Sequence, residues 1–172
     1  LKYTNQDEME GGFPGIYASA FYQDNKGTLW IGSDAGLCSY NSAEDVFEQD
    51  IDFNNKIPGH IIQIHGDENG NLWIYHETRG LIRYRPFAEE ENNIKVFDKE
   101  DGLLFDQFNS YFSFINSFYQ GPEGRLFMGS GIGTGESFLW FHPESIKDNV
   151  QVPNVFITNF DVVNKKIITD RR

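Results

Sequence analysis

The side chains best equipped for chemistry stand together in one short stretch, Tyr75-His76-Glu77-Thr78-Arg79. An aromatic ring, an imidazole, a carboxylate and a guanidinium can stack on a sugar ring and hydrogen-bond its hydroxyls. A polar exposed loop between two strands would account for the same residues without any ligand. His60, Gln107 and Asn109 fall where other loops would open on the same side. The candidate ligand set is therefore Tyr75, His76, Glu77, Arg79, His60, Gln107 and Asn109. Catalytic and metal signatures are weaker. The 26 acids include no recognisable catalytic motif, and a glycosidase-type carboxylate pair is a property of space rather than of sequence. The four histidines, His60, His65, His76 and His142, form no pair at a familiar ligand spacing. Asp67-Glu68-Asn69-Gly70 has its glycine fourth, whereas a calcium loop needs it sixth, so the segment reads as a hairpin turn. Cys38, the single cysteine, sits among strand residues as a small buried hydrophobe with no partnering base nearby. No metal and no cofactor are expected.

These residues must be positioned by strands, and the strands repeat. Ala18 to Tyr40, Ile62 to Tyr84 and Phe114 to Phe141 align, with Trp30, Trp73 and Phe127 at one repeat position. The intervals are 43 and 54 residues, and four-stranded propeller blades recur every ~40–45. An inserted loop at Pro86–Asn93 and extra residues at Asp101–Ser110 lengthen the second interval. Asp24 with Gly27, and Asp67 with Gly70, mark hairpin turns in which the aspartate caps and the glycine takes positive φ. The third copy keeps Gly124 but lacks the aspartate. Strands are predicted at Leu29–Gly32, Leu72–Tyr75 and Leu126–Gly129, then at Leu37–Tyr40 and Leu81–Tyr84, with outer strands at Asp45–Gln49 and Ile94–Asp98. The strands at 29–32 and 72–75 are apolar on both faces, as blades packed against neighbours require and a two-layer sandwich does not. Glu144–Lys147 allows one helical turn, and Val155–Val162 reads as a strand outside any blade.

Composition agrees. Aromatics reach 16%, with 17 glycines, which suits many short strands and argues against disorder. A net charge of −12 repels phosphate backbones and anionic lipid, so nucleic acid and membrane surfaces are poor partners. No apolar run approaches the ~20 residues that span a bilayer. The chain begins at Leu1 without a signal peptide, and it reads as part of something longer that would carry any membrane anchor.

The unit D-x-x-G-x-L-W-I-G-[ST]-x-x-G-L-x-x-Y from Asp24 to Tyr40 resembles the two-component regulator propeller repeat, its frame being Asp24, Gly27, Trp30 and Gly32. The second copy keeps Asp67, Gly70 and Trp73 but has Tyr75-His76 where Gly-Ser stood, and the third keeps Gly124, Phe127 and Gly129. A sialidase Asp-box is excluded by its different aspartate-to-glycine spacing. Pro153-x-Val155-x-Ile157-Thr158-x-Phe160 is similar to the start of the immunoglobulin-like Y_Y_Y domain of the same proteins. The expectation is an all-β partial propeller of about three four-stranded blades over 1–149, with repeats near 16–50, 58–99 and 110–143, and an exit segment at 150–172 leading to an immunoglobulin-like domain. The resemblance implies the periplasmic sensor region of a hybrid two-component histidine kinase anchored in the inner membrane, often homodimeric. It would detect oligosaccharides and regulate transcription, with the kinase outside this chain and the remaining blades as partners. Two rivals stay open: a propeller lyase or glycosidase, and a propeller that serves only dimerisation.

Overall fold

In the computed structural model, residues 12–88, 92–98, 101, 118–129 and 138–146 are described, together with the backbone of two short strands at 160–162 and 165–167. Three antiparallel meanders follow one another. The first contains β1 (Ala18–Gln23), β2 (Leu29–Ser33), β3 (Gly36–Asn41) and β4 (Val46–Gln49), paired in that order. The helix α1 (Ile51–Lys56) leads to β5 (Ile61–Gly66), β6 (Leu72–His76), β7 (Gly80–Tyr84) and β8 (Ile94–Val96). The third sheet shows β9 (Phe118–Gln120), β10 (Leu126–Gly129) and β11 (Phe138–Phe141) among the described residues. The predicted helical turn is a 3-10 turn at Pro143–Ser145. Of the predicted Val155–Val162 strand, β12 (Phe160–Val162) is described and pairs with β13 (Lys165–Ile167); 147–159 lie outside the described residues.

The repeat extends to hydrogen bonds. Asp24 Oδ1 accepts from the amides of Lys26 and Thr28, both at 2.9 Å, and Asp67 Oδ1 does the same for Asn69 at 2.9 Å and Asn71 at 3.0 Å. The second carboxylate oxygen takes the indole N–H six residues on: Trp30 at 3.0 Å and Trp73 at 2.8 Å. Gly27 and Gly70 sit at φ 87° and 77°, the left-handed region that favours glycine. The third blade has neither the donor nor the acceptor. Gly121 replaces the aspartate and Phe127 the tryptophan, and a Cβ at Gly121 would stand 2.8 Å from the Phe127 ring.

The core lies between the sheets. Leu72, Ile74, Ile82 and Tyr84 of the second sheet join Ala20, Trp30 and Leu37 of the first. From the opposite face of that sheet, Ile62, Trp73, Tyr75 and Leu81 meet Leu126 and Met128 of the third. Alternate residues of β6 therefore serve different neighbours, which is why the strand has no polar face. The helix α1 fills the space between the first two sheets. Asp50 caps it through Phe53 N at 3.0 Å, Phe53 is fully buried against Tyr84, and the Tyr84 hydroxyl donates back to Asp50 at 2.7 Å. Asn54 clamps β3 by accepting from Leu37 N (2.8 Å) and donating to Leu37 O (2.9 Å). The repeat alignment left this helix out, although Asp50 as cap and Phe53 with Ile57 at i, i+4 carry its signature.

Candidate functional site

The loop 77–79 and the segment before β5 open on one side of the propeller because β6 and β7 form a tight hairpin beside the start of β5. Glu77 N donates to the His60 carbonyl at 3.0 Å, and a Glu77 carboxylate oxygen lies 3.8 Å from His60 Nδ1. Tyr17 meets the His60 ring edge-on at 5.4 Å, and Asp34 holds the chain there by accepting from Ile16 N at 2.8 Å and Tyr17 N at 3.3 Å. His60, Glu77 and Arg79 are thus grouped at the ends of the strands, with Glu77, Thr78 and Arg79 exposed.

Two of the candidate ligand residues, Tyr75 and His76, are occupied otherwise. Tyr75 is buried within the second core cluster, so its ring offers no sugar-stacking face. His76 is 1% exposed and accepts from Thr78 N through Nδ1 at 3.2 Å. In the first blade Ser33 Oγ accepts from Ala35 N at 3.1 Å, so His76 does the turn-holding work that Ser33 does there. Burial holds the His76 imidazole below its ordinary pKa, with Arg79 and His60 acting in the same direction and the Pro58 backbone and Glu77 opposing. Of the sequence-predicted site, His60, Glu77 and Arg79 stand together at these strand ends, and Gln107 and Asn109 lie outside the described residues.

Other chemistry finds little support. Among the described residues no three His, Cys, Asp or Glu side chains are grouped to hold a metal. Cys38 is buried, and burial alone pushes its thiol up to about 12, far from a working nucleophile. His65 is wedged between Tyr22 (5.3 Å) and Phe118 (5.4 Å), and His142 accepts from Arg125 at 3.3 Å, so both are packing residues.

The stacked meanders and the repeated Asp–Trp turn can now be set beside known proteins. The two component regulator propeller family matches residues 12–35. This chain is similar to that family's repeat over those residues. It is also similar to histidine kinase P4 of Formosa agariphila, 30% identical over 84 residues, which is 45% of this chain and 6% of that protein. Two solved structures of the extracellular domain of BT4673 from B. thetaiotaomicron share the fold. One, described as part of a hybrid two component system, has a TM-score of 0.55 at 17% identity, over 77% of this chain and 18% of that one. The other, described as part of a one component system, gives 0.53 over the same shares. The matched segment therefore sits in a fold also seen in the extracellular domain of BT4673, and the chain spans a small part of each relative.

Proposed function

We propose that this chain is part of the extracytoplasmic sensor region of a two-component histidine kinase, binds rather than transforms its ligand, and detects oligosaccharides. The carrying observation is the regulator propeller repeat within consecutive stacked blades. Binding is favoured over catalysis because the reactive side chains near the exposed loop are committed: His76 to Thr78, Tyr75 to the core. Ligand would meet His60, Glu77 and Arg79 and bias the next domain between two receptor states, an immunoglobulin-like one if the end of the chain follows its resemblance. The parent would be periplasmic on this side and anchored in the inner membrane.

The test is a transcriptional reporter driven by the intact sensor. Replacing His60, Glu77 and Arg79 with alanine should shift the oligosaccharide dose–response without lowering the melting temperature. An unchanged curve removes this loop from the pocket. Turnover of the oligosaccharide by the purified intact protein would establish the enzyme reading instead.

A further inference from the structure

At the other ends of the strands, the Asp–Trp turns of the first two blades enclose a cleft of about 620 Å3, within the ~300–1,000 Å3 typical of small-molecule sites. Its floor is apolar and close-packed: Tyr22 lies over Gly66, with the buried Leu72 beside them. Its lip is built by an enlarged loop. The first blade joins β3 to β4 through residues 42–45, whereas the second joins β7 to β8 through 85–93. The described ends of the enlarged loop are joined, Arg85 N donating to the Asn93 carbonyl at 2.8 Å. It carries Phe87 out over the first blade, where the ring lies 6.1 Å from Trp30 and is 56% exposed. A half-exposed phenylalanine held at the mouth of a cleft by an added loop is the kind of feature that loops carry for binding.

The charges around it narrow the ligand. Lys26 Nζ lies 3.7 Å from the centre of the Phe87 ring, and Arg83 and Arg85 also line the cleft. The exposed Glu68 and Glu144 line the same cleft, while Asp24 and Asp67 are spent on turn amides and indoles. An anion would meet the glutamates, a cation would meet the lysine and arginines, and a purely apolar guest would desolvate both. A neutral polyol donates and accepts at every hydroxyl, so it can satisfy both signs at once. The exposed amides of Asn25 and Asn69 offer both roles too, and Phe87, with Lys26 over one face of its ring, offers its remaining exposed surface for C–H contacts. The Tyr22 hydroxyl on the floor is kept protonated by burial and then by Asp24 and Asp67, so it remains a donor. We propose that this turn-side cleft is a binding site for a neutral oligosaccharide, with Phe87 as its stacking platform. It lies at the opposite strand ends from the loop at Glu77–Arg79 and does not depend on that loop's role.

The experiment immobilises the intact sensor and passes over it the di- to tetrasaccharides of starch, cellulose and laminarin hydrolysates, together with pectin-derived oligogalacturonates, reading retained species by mass spectrometry. Neutral oligosaccharides should be enriched over the acidic ones. Phe87→Ala and Asn69→Ala should lose the enrichment, Phe87→Tyr should keep it, and the combined Glu77→Ala and Arg79→Ala variant should keep it as well. Both single positions are exposed, and unchanged melting temperatures would confirm folding. Retention of none of the neutral sugars, preference for the acidic ones, survival of the enrichment in Phe87→Ala and Asn69→Ala, or equal loss in the Glu77/Arg79 variant would each overturn the proposal.

Discussion

Asp67 serves four donors at once: two turn amides, the Asn71 amide group and the Trp73 indole, and it does so at 6% exposure. Removing it strands a buried N–H inside a packed interface, and hydrogen bonds to a charged group contribute ~1.5–3 kcal/mol each way of the cycle. Asp67→Gly should therefore be strongly destabilising by urea unfolding of the intact sensor, and Trp73→Ala should cost ~3–5 kcal/mol. The third blade suggests the sharper measurement. It carries Gly121 and Phe127, so Asp67→Gly combined with Trp73→Phe should cost clearly less than Asp67→Gly and Trp73→Phe added together, since the indole N–H and its acceptor leave together. Strict additivity would show that the indole bond contributes nothing. The buried histidines give a pH dependence. Burial is the main cause lowering both His65 and His76 below the ordinary 6.5; Asp67 and Gln120 oppose it at His65. The unfolded chain then binds protons that the folded one refuses. Their contribution is fully present above pH 6.5 and is lost as pH falls below it. Melting temperature should fall between pH 7 and 5, and His65→Gln with His76→Gln should flatten that fall; an equal slope in the variant counts against this origin.

Blade spacing is set at the elements by one position in the second strand. Gly32 in β2 lets the second sheet approach so closely that a Cβ there would stand 2.5 Å from Ile61. The matching position in β6 is Tyr75, whose ring fills the gap to the third sheet. Gly32→Ala should wedge the first two blades apart and destabilise by ~1–3 kcal/mol, the usual range for overpacking, in the same urea assay. No change would mean that the sheets slide apart without cost. This pair also shows what a sequence reveals. The turns, the strands of the first two blades and the two-faced burial of 29–32 and 72–75 were legible, because repetition and apolarity are local properties. The departure Tyr75-His76 was visible too, but its meaning was not. A tyrosine and a histidine suit a sugar pocket or a wide interface equally, and only the distance to the third sheet decides. Helix α1 escaped for a related reason: its six residues lie between aligned units, and Phe53 is buried by Tyr84, which lies in the next blade. The exposed Phe87 lay in a segment already recognised as inserted, yet nothing local to it points at a cleft formed by turns some 20 and 60 residues earlier.

The three sheets differ most, at the scale of the molecule, in what covers them. The second is enclosed by its neighbours on both faces. Among the described residues, the third presents Phe118, Leu126, Met128, Leu139 and Phe141 to the second. Its other face carries Tyr119, Phe127 and Trp140 side by side in register, with Phe138 two residues along the strand from Trp140. Tyr119 is 64% exposed, Phe138 54% and Trp140 51%. Phe127 stands where Trp73 is fully buried one blade earlier, so this face has the pattern of a blade awaiting another. The Arg125 guanidinium lies 4.5 Å from the Trp140 ring and shields part of it, but three exposed aromatic side chains beside Phe127 on one sheet face exceed the scattered exposure that a lone soluble protein tolerates. Propellers protect such faces by closing a ring of blades. The purified 172-residue chain should therefore self-associate as its concentration rises, despite a net charge of −12 that opposes it. Light scattering gives the mass directly. Phe138→Glu with Trp140→Glu should return it toward the 19.8 kDa monomer, because the two changes remove apolar surface and add repulsion on the face in question. Changing Phe21, 61% exposed on the first sheet, should have a smaller effect, since Ile31 and Cys38 beside it in register are already buried. A well-dispersed monomer of the unchanged chain at high concentration would count against this reading of the third sheet.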